Sequence, residues 1–514
     1  MGKLFKFGIQ GCEGDVAQIP LNQRELPMRI ESIYKQIIQA SDHAKDHHEF
    51  QDDARICRDN LISYLGFREQ NLLGIRQELK EKGLADLFQS PTHLLYTLEK
   101  ILSYLNISLP SQKNLMVSTP YESRKILKKR TDELFGNRMQ PNQPAIMVTV
   151  DSKVLNNPNQ IEQLILNGMN IARINCAHDD PEIWKQIIDA IRDVEKKLRI
   201  EGKYQKTECK IYMDLAGPKV RVGKLPDAPI YVSKGDRLRL YLNSDTEGHS
   251  AVEDTPAGVP VTLEKAFRNV RVNDSIFIDD GKIHGIVSQV TKEFVEVEIH
   301  SPAPKPVRVK EGKGLNLPDS LLSLNLPALT EKDLADIPFI TKHADILGIS
   351  FVHSPLDLRK LRQELEILKR TDIGVVAKIE TKDAIHNLAR ILLEGLHFNR
   401  FGIMLARGDL TVEVGPENLS FVQDEILTIC SAAYTPVIWA TGVLEKLTKK
   451  GIPARAEITD AAYGSRANCI MLNKGPFVVD ALKMLVKLLR TVEVIPARQK
   501  PLIDLTAQFG VFKK

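Results

Sequence analysis

The sequence predicts an α/β protein: a (β/α)8 TIM barrel with a small β-barrel lid inserted into it and a helical region ahead of it. Three observations predict this. Eight short apolar or β-branched runs recur between residues 145 and 473, most of them followed by a stretch with helical spacing. Between the third run and the fourth lie about 130 residues instead of one helix, alternating apolar and polar around Gly and Asp turns. The residues before 143 have no such rhythm and carry apolar positions three and four apart.

Taken in order, residues 1–20 mix glycine, charge and short apolar pieces and read as a tail or an added edge segment. From Asn22 to Ile107 the pattern is helical. LISYLGFREQNLLGIRQELKEKG ends at Gly83, a C-cap candidate, and SPTHLLYTLEKILSYL opens with Ser90 as N-cap and Pro91 in the first turn. YESRKILKKRTDELFG (121–136) predicts one more helix, closed by Gly136. The eight strands are expected at AIMVTVD (145–151), NIARINC (170–176), KIYMDLA (210–216), DILGISF (345–351), GVVAKIE (374–380), FGIMLARGD (401–409), PVIWAT (436–441) and CIMLN (469–473). Near-continuous apolar strands separated by helices imply a parallel sheet covered on its faces, and eight of them favour closure over an open sheet. PIYVSKGDRLRLYL, SIFIDDGKIHGIVSQV and FVEVEIH predict an antiparallel module within the long gap. The expected boundaries are 1–142 for the helical extension, 143–221 and 314–495 for the barrel, 222–313 for the lid and 496–514 for the tail.

Composition narrows the function. The chain has 514 residues, 43% hydrophobic and 26% charged, which excludes disordered, collagenous and coiled-coil classes. No apolar run is long enough to span a bilayer, and the first residues lack the apolar core of a secretory signal. Seventy basic against 66 acidic residues is too balanced to imply nucleic acid. Six scattered cysteines with no C-x-x-C pair fit a reduced, cytoplasmic setting. His43, His47 and His48 lie in a polar stretch with no closed ligand set, so no metal site is expected there.

Polar residues interrupt the strand ends where a barrel places its active site. Arg173 and Asn175 face one side, as do Lys378 and Glu380; Asp214 ends strand three, Asp409 strand six and Thr441 strand seven. Carboxylates for a divalent cation and cations for phosphoryl oxygens suit the handling of an anionic, phosphorylated substrate. Glu380 and Asp409 are the expected metal pair. Structural ion pairing alone does not explain polar residues arriving at five strand ends.

These segments resemble a known family. ARINCAHDD, MDLAGPKVRVG, IDDG, KGLNLP, LNLPALTEKD, ISF, AKIE, MLARGDL, ATGVLEKL, PARAEITD and CIML occur in the order and spacing of pyruvate kinases over about residues 143–490. The resemblance implies glycolytic transfer of the phosphoryl group of phosphoenolpyruvate to ADP, giving pyruvate and ATP, with Mg2+ or Mn2+. It implies that Lys378 stabilises the phosphoryl group in transit and Arg173 contacts it. Gly408 and Asp409 N–H groups and the Thr441 hydroxyl would hold the substrate carboxylate. Asn175, His178, Arg221 and Lys313 would serve the nucleotide, and Glu380 and Asp409 the metal. The family's potassium ligands are half replaced, by Ala177 and Leu215, and Lys219 stands where potassium-dependent members carry Glu. Lys219 is therefore expected to supply the charge of the monovalent cation, and K+ not to be required.

Other departures are Thr441-Gly442-Val443, Asn473-Lys474-Gly475-Pro476 and Asp151-Ser152, all at the barrel mouth. After Leu489 only a short tail is expected in place of the family's C-terminal domain, and the helical extension suggests an interaction module or a homo-oligomer contact. Two other readings stay open: a metal-dependent lyase or aldolase acting on a pyruvate-like enolate, and a degenerate phosphoenolpyruvate- or nucleotide-binding protein. Neither nucleic acid nor membrane is an expected partner.

Overall fold

The structure, a computed structural model, describes residues 25–497 except 44–51, 71, 73, 109–114, 137–142, 205–207, 226–228, 254, 302–304 and 320–326. Residues 1–20, His47, His48 and most of the 496–514 tail lie outside the described residues. The chain divides into two compact units.

The first unit comprises residues 1–130 with two returning segments, His386–His397 and Thr428–Thr435. The helix Glu25–His43 packs on Asp52–Arg68 and Leu94–Tyr104, burying Leu26, Ile30, Leu61, Phe67 and Leu98. The amphipathic spacing of these residues is the cause, since each helix hides one apolar stripe against the others. Two expectations fail in detail. The stretch 61–83 is two helices, because Gly74 at φ 75° restarts the chain after Arg68. Ser90 does not cap: its hydroxyl donates to the Asp86 carbonyl, and Pro91–His93 forms a 3-10 turn before the helix at Leu94. Tyr434 ties the returning segment in, its hydroxyl 2.5 Å from Ser118 Oγ and bonded to the Thr92 carbonyl.

The second unit is the barrel with its insertion. The strands are β1 (Ala145–Val150), β2 (Ile171–Asn175), β3 (Lys210–Asp214), β4 (Ile346–Ile349), β5 (Gly374–Ile379), β6 (Phe401–Ala406), β7 (Val437–Ala440) and β8 (Cys469–Leu472). They close in the order β1-β8-β7-β6-β5-β4-β3-β2, every neighbour parallel. This is a (β/α)8 barrel. Nearly every strand residue is buried, as expected of strands covered on both faces. Leu134 and Phe135, the last residues of helix Pro120–Phe135, are buried in the same apolar cluster as Met147, Ile171, Val376 and Met404.

The insertion has its own core, running from Val220 and Val222 through Leu238, Val259, Ile278 and Val297 to Leu315 and Leu317. Its six-stranded sheet runs Leu315–Asn316, Ser275–Ile278, Ile283–Val290, Phe294–Ser301, Arg237–Tyr241, Ala257–Pro260. The pairing of Arg237–Tyr241 with Ala257–Pro260 is parallel, not antiparallel as expected. Parallel pairing needs a crossover, and the chain between Tyr241 and Ala257 is long enough to supply it. The segments leaving and re-entering the barrel pair with each other: Val222 N–H donates to the Lys313 carbonyl at 2.8 Å, and Leu315 N–H to Val220 at 2.8 Å.

Candidate active site

The charged residues at the strand ends meet on the mouth of the barrel. Register places Arg173 opposite Tyr212 and Asn175 opposite Asp214. The buried Asp214 carboxylate accepts from Arg173 Nη2 at 2.5 Å and Nε at 3.1 Å, and from the Tyr212 hydroxyl at 3.2 Å. Gly348 on β4 makes room for this: a Cβ there would lie 2.0 Å from the Tyr212 hydroxyl and 2.6 Å from Asp214 Oδ1.

Lys378 of β5 stands at the centre. Its Nζ is 2.8 Å from Ser350 Oγ, 3.1 Å from Glu380 Oε1 and 3.4 Å from Asp214 Oδ2. Burial works against the ammonium charge, but Asp214 and Glu380 overcome it and hold the lysine above its ordinary value. Burial likewise disfavours ionised Asp214, and Lys378 with Arg173 more than offsets it, so its carboxyl stays below the usual range. Glu380 receives the Phe351 N–H on Oε2 at 2.7 Å, yet burial and the nearby Asp409 charge push its carboxyl up.

Asp409 differs from the sequence expectation in its setting. The run FGIMLARGD is not all strand: β6 ends at Ala406 and a helix, Arg407–Val414, begins at once. Asp409 thus sits in a first helical turn, where the N–H groups lack intrahelical acceptors and the dipole favours negative charge. Burial opposes its ionisation and Lys219 overrides it, keeping the carboxyl below its ordinary value. Lys219 Nζ lies 2.7 Å from Asp409 Oδ1, and Asn316 Nδ2 reaches the same oxygen at 3.3 Å. Among the described residues, Asp409 Oδ2 has no hydrogen-bond partner.

Thr441, the residue after β7, has φ 70°, which is uncommon for a β-branched residue. Gly408 lies against it; a Cβ on Gly408 would come within 2.8 Å of Thr441 Cγ2. Arg407 fixes this corner from below, donating Nε to the Ala440 carbonyl at 3.0 Å and Nη2 to Asp460 at 2.9 Å, with its guanidinium 4.1 Å from the Trp439 ring centre.

Beside this cluster opens a cleft of about 370 Å3, lined by Asp151, Arg173, Asn175, His178, Asp280 and Lys474 among others. Burial, then the charges of Lys474 and Arg221, lower the His178 pKa and keep its imidazole neutral. Two of the sequence departures meet here: Lys474 Nζ pairs with Asp151 Oδ2 at 2.9 Å, so the altered loops after β1 and β8 are one coupled change. The structure does not bring Arg221 and Lys313 to the cleft wall. Arg221 donates to the Gly312 carbonyl at 2.8 Å and Lys313 pairs with Asp279 at 2.8 Å, both at the hinge of the insertion.

Ser350, Asn316 and the Asp151–Lys474 pair were not singled out as site residues from the sequence. ISF and KGLNLP contain the first two, but nothing in a linear pattern shows which polar residue of a motif points inward. The donors suit a magnesium ion. Glu380 and Asp409 offer hard carboxylate oxygens, Asp409 has one oxygen without a partner among the described residues, and Mg2+ typically takes one or two carboxylates. Among the described residues no cluster of three or more His, Cys, Asp and Glu is placed to hold a metal ion.

The family model for the pyruvate kinase barrel domain matches residues 142–476. The chain belongs to the pyruvate kinase family. It is 32% identical over 353 residues to the pyruvate kinase of Staphylococcus epidermidis, covering 67% of this chain and 56% of that protein. It is 35% identical over 304 residues to the pyruvate kinase of Staphylococcus aureus strain USA300, covering 59% and 48%. The chain thus spans about half the length of the curated relatives it matches. The pyruvate kinase match contains all eight barrel strands and the inserted domain; the helices before β1 lie outside it. No described helix is long and apolar enough to cross a membrane.

Proposed function

We propose that the protein transfers the phosphoryl group of phosphoenolpyruvate to ADP, giving pyruvate and ATP, as a cytoplasmic glycolytic enzyme that uses Mg2+ or Mn2+ and does not require K+. The observation that carries this reading is the position of Lys378 Nζ, within 3.4 Å of both Asp214 and Glu380 and buried beside the Arg173–Asp214 pair.

Phosphoryl transfer needs positioning and charge neutralisation more than covalent help. Lys378 and Arg173 present fixed positive charge to the group in flight. Because both are already ordered by Asp214, little reorganisation is needed as charge develops. The N–H groups of Gly408 and Asp409, in the first turn of their helix, with the Thr441 hydroxyl, hold the substrate carboxylate. The cleft beside Asn175 and His178 takes the nucleotide, with Arg221 and Lys313 turning to its phosphates as the inserted domain closes and excludes water. A bound Mg2+ on Glu380 and Asp409 would screen the negative oxygens of substrate and phosphoryl group. Lys219, whose ammonium bonds Asp409 Oδ1, would supply the positive charge that the family otherwise takes from a monovalent cation.

Pyruvate formation, read through NADH oxidation by added lactate dehydrogenase, tests this with phosphoenolpyruvate, ADP and Mg2+, with and without K+. Turnover that needs ADP and Mg2+ but not K+ supports it. Pyruvate formed equally well without ADP points away from a kinase, and tight binding without turnover to the binding protein.

A further inference from the structure

The two segments that join the inserted domain to the barrel converge on a single oxygen. Lys219, on the way out, and Asn316, on the way back, both bond Asp409 Oδ1, at 2.7 and 3.3 Å. Their backbones are paired through Val220 and Leu315. Asn316 is 4% exposed, and its own Oδ1 is buried and accepts no hydrogen bond among the described residues. A buried carbonyl oxygen without a donor costs about 1–3 kcal/mol. The amide cannot escape by turning over. That would set Oδ1 against the Asp409 carboxylate and leave Nδ2, instead, without an acceptor.

We propose that Asn316 is a positioning residue for the divalent cation, a role that rests on the assignment of that cation to Glu380 and Asp409. Its Nδ2 fixes Asp409 Oδ1, so that Oδ2 is presented to the metal. Its Oδ1, closed off and without a donor in this arrangement, would accept from a water of the metal's shell once that water enters beside it. Mg2+ keeps several waters when it binds to protein, and each such water is a strong donor seeking an acceptor. Outer-shell partners of this kind typically change metal affinity about 10- to 100-fold when removed.

Mn2+ titration of the full chain, without substrates, tests this by the electron paramagnetic resonance of free Mn2+. The wild type is expected to bind one ion, Glu380→Gln to bind it at least about 10-fold more weakly, and the near-isosteric Asn316→Leu likewise about 10-fold or more weakly. Water-proton relaxation by the bound Mn2+ is expected to change in Asn316→Leu but not in Thr441→Val, a readout that loss of packing alone does not move. If Asn316→Leu does not fold, Asn316→Ser is read in its place. Asn316→Leu binding within about twofold of wild type, with Glu380→Gln impaired, overturns the inference and leaves the cation site standing. No Mn2+ binding by the wild type, or none lost in Glu380→Gln, overturns the cation site itself and the inference with it.

Discussion

Lys219 Nζ stands 2.7 Å from Asp409 Oδ1, across 190 positions of sequence. The contact joins the segment leaving the barrel to the first turn of the helix after β6, and it holds the Asp409 carboxyl below its ordinary value. The ammonium passes directly over Gly314 and lies 5.9 Å from the centre of the Phe351 ring.

Lys219 therefore carries a fixed positive charge into the site, and exchange of K+ for tetramethylammonium is expected to alter turnover by less than about twofold. Lys219→Ala is expected to lose about 10- to 100-fold, the equivalent of about 1.5–3 kcal/mol for a hydrogen bond to a charged group. Steady-state rates in the two salts check both statements. Strong K+ activation of the wild type would end the idea of a tethered ammonium.

Gly314→Ala should reproduce the Lys219 defect without touching the lysine. The new Cβ would fall 2.4 Å from Lys219 Cε, so the side chain must leave its path to Asp409. The backbone there has no positive φ, so alanine brings no strain of its own. A rate loss in Gly314→Ala that is not additive with Lys219→Ala is the expected double-mutant result.

Lys378→Met is expected to lose turnover by on the order of 10³-fold, the range for removing one preorganised charge from a reacting centre. It also strands Asp214 and Glu380 without their shared cation, and a melting-temperature measurement is expected to show destabilisation as well. Full activity in this variant would remove Lys378 from the transfer step.

Glu413 gives the fold a pH dependence. It is buried in the helix Arg407–Val414, and desolvation pushes its carboxyl up to about 7 from an ordinary 4.5, against a backbone hydrogen bond from Lys382. The native state then holds a proton that the unfolded chain releases between those values. Stability is highest below the unfolded value and falls as pH rises toward 7, by up to about 3 kcal/mol. Urea unfolding from pH 4.5 to 8 is expected to show this slope in the wild type and its loss in Glu413→Gln.

Much of this site could be read from residue order. Lys378 and Glu380 are two apart on a strand, so the pleat alone puts them on one face, and Arg173 and Asn175 follow the same rule. The barrel was legible because eight apolar runs of strand length have no other economical burial. What a linear pattern could not show was pairing between distant loops. Asp151 and Lys474 each looked like an isolated departure, and only the adjacency of β1 and β8 makes them one ion pair. Asn316 lies within KGLNLP, but its hydrogen-bond partner is 93 positions away, which no local pattern shows. The helix at Arg407 has no sequence signal, because Arg-Gly-Asp follows an apolar run directly and the helix begins with no side-chain cap.

The most direct test follows phosphorus by 31P NMR in a mixture of the protein, phosphoenolpyruvate, ADP and Mg2+. The account expects one ATP to appear for each phosphoenolpyruvate consumed, with no inorganic phosphate and no loss of phosphoenolpyruvate when ADP is omitted. Phosphoenolpyruvate that persists beside active-site-bound ligand, or that disappears into inorganic phosphate without ATP, would contradict it.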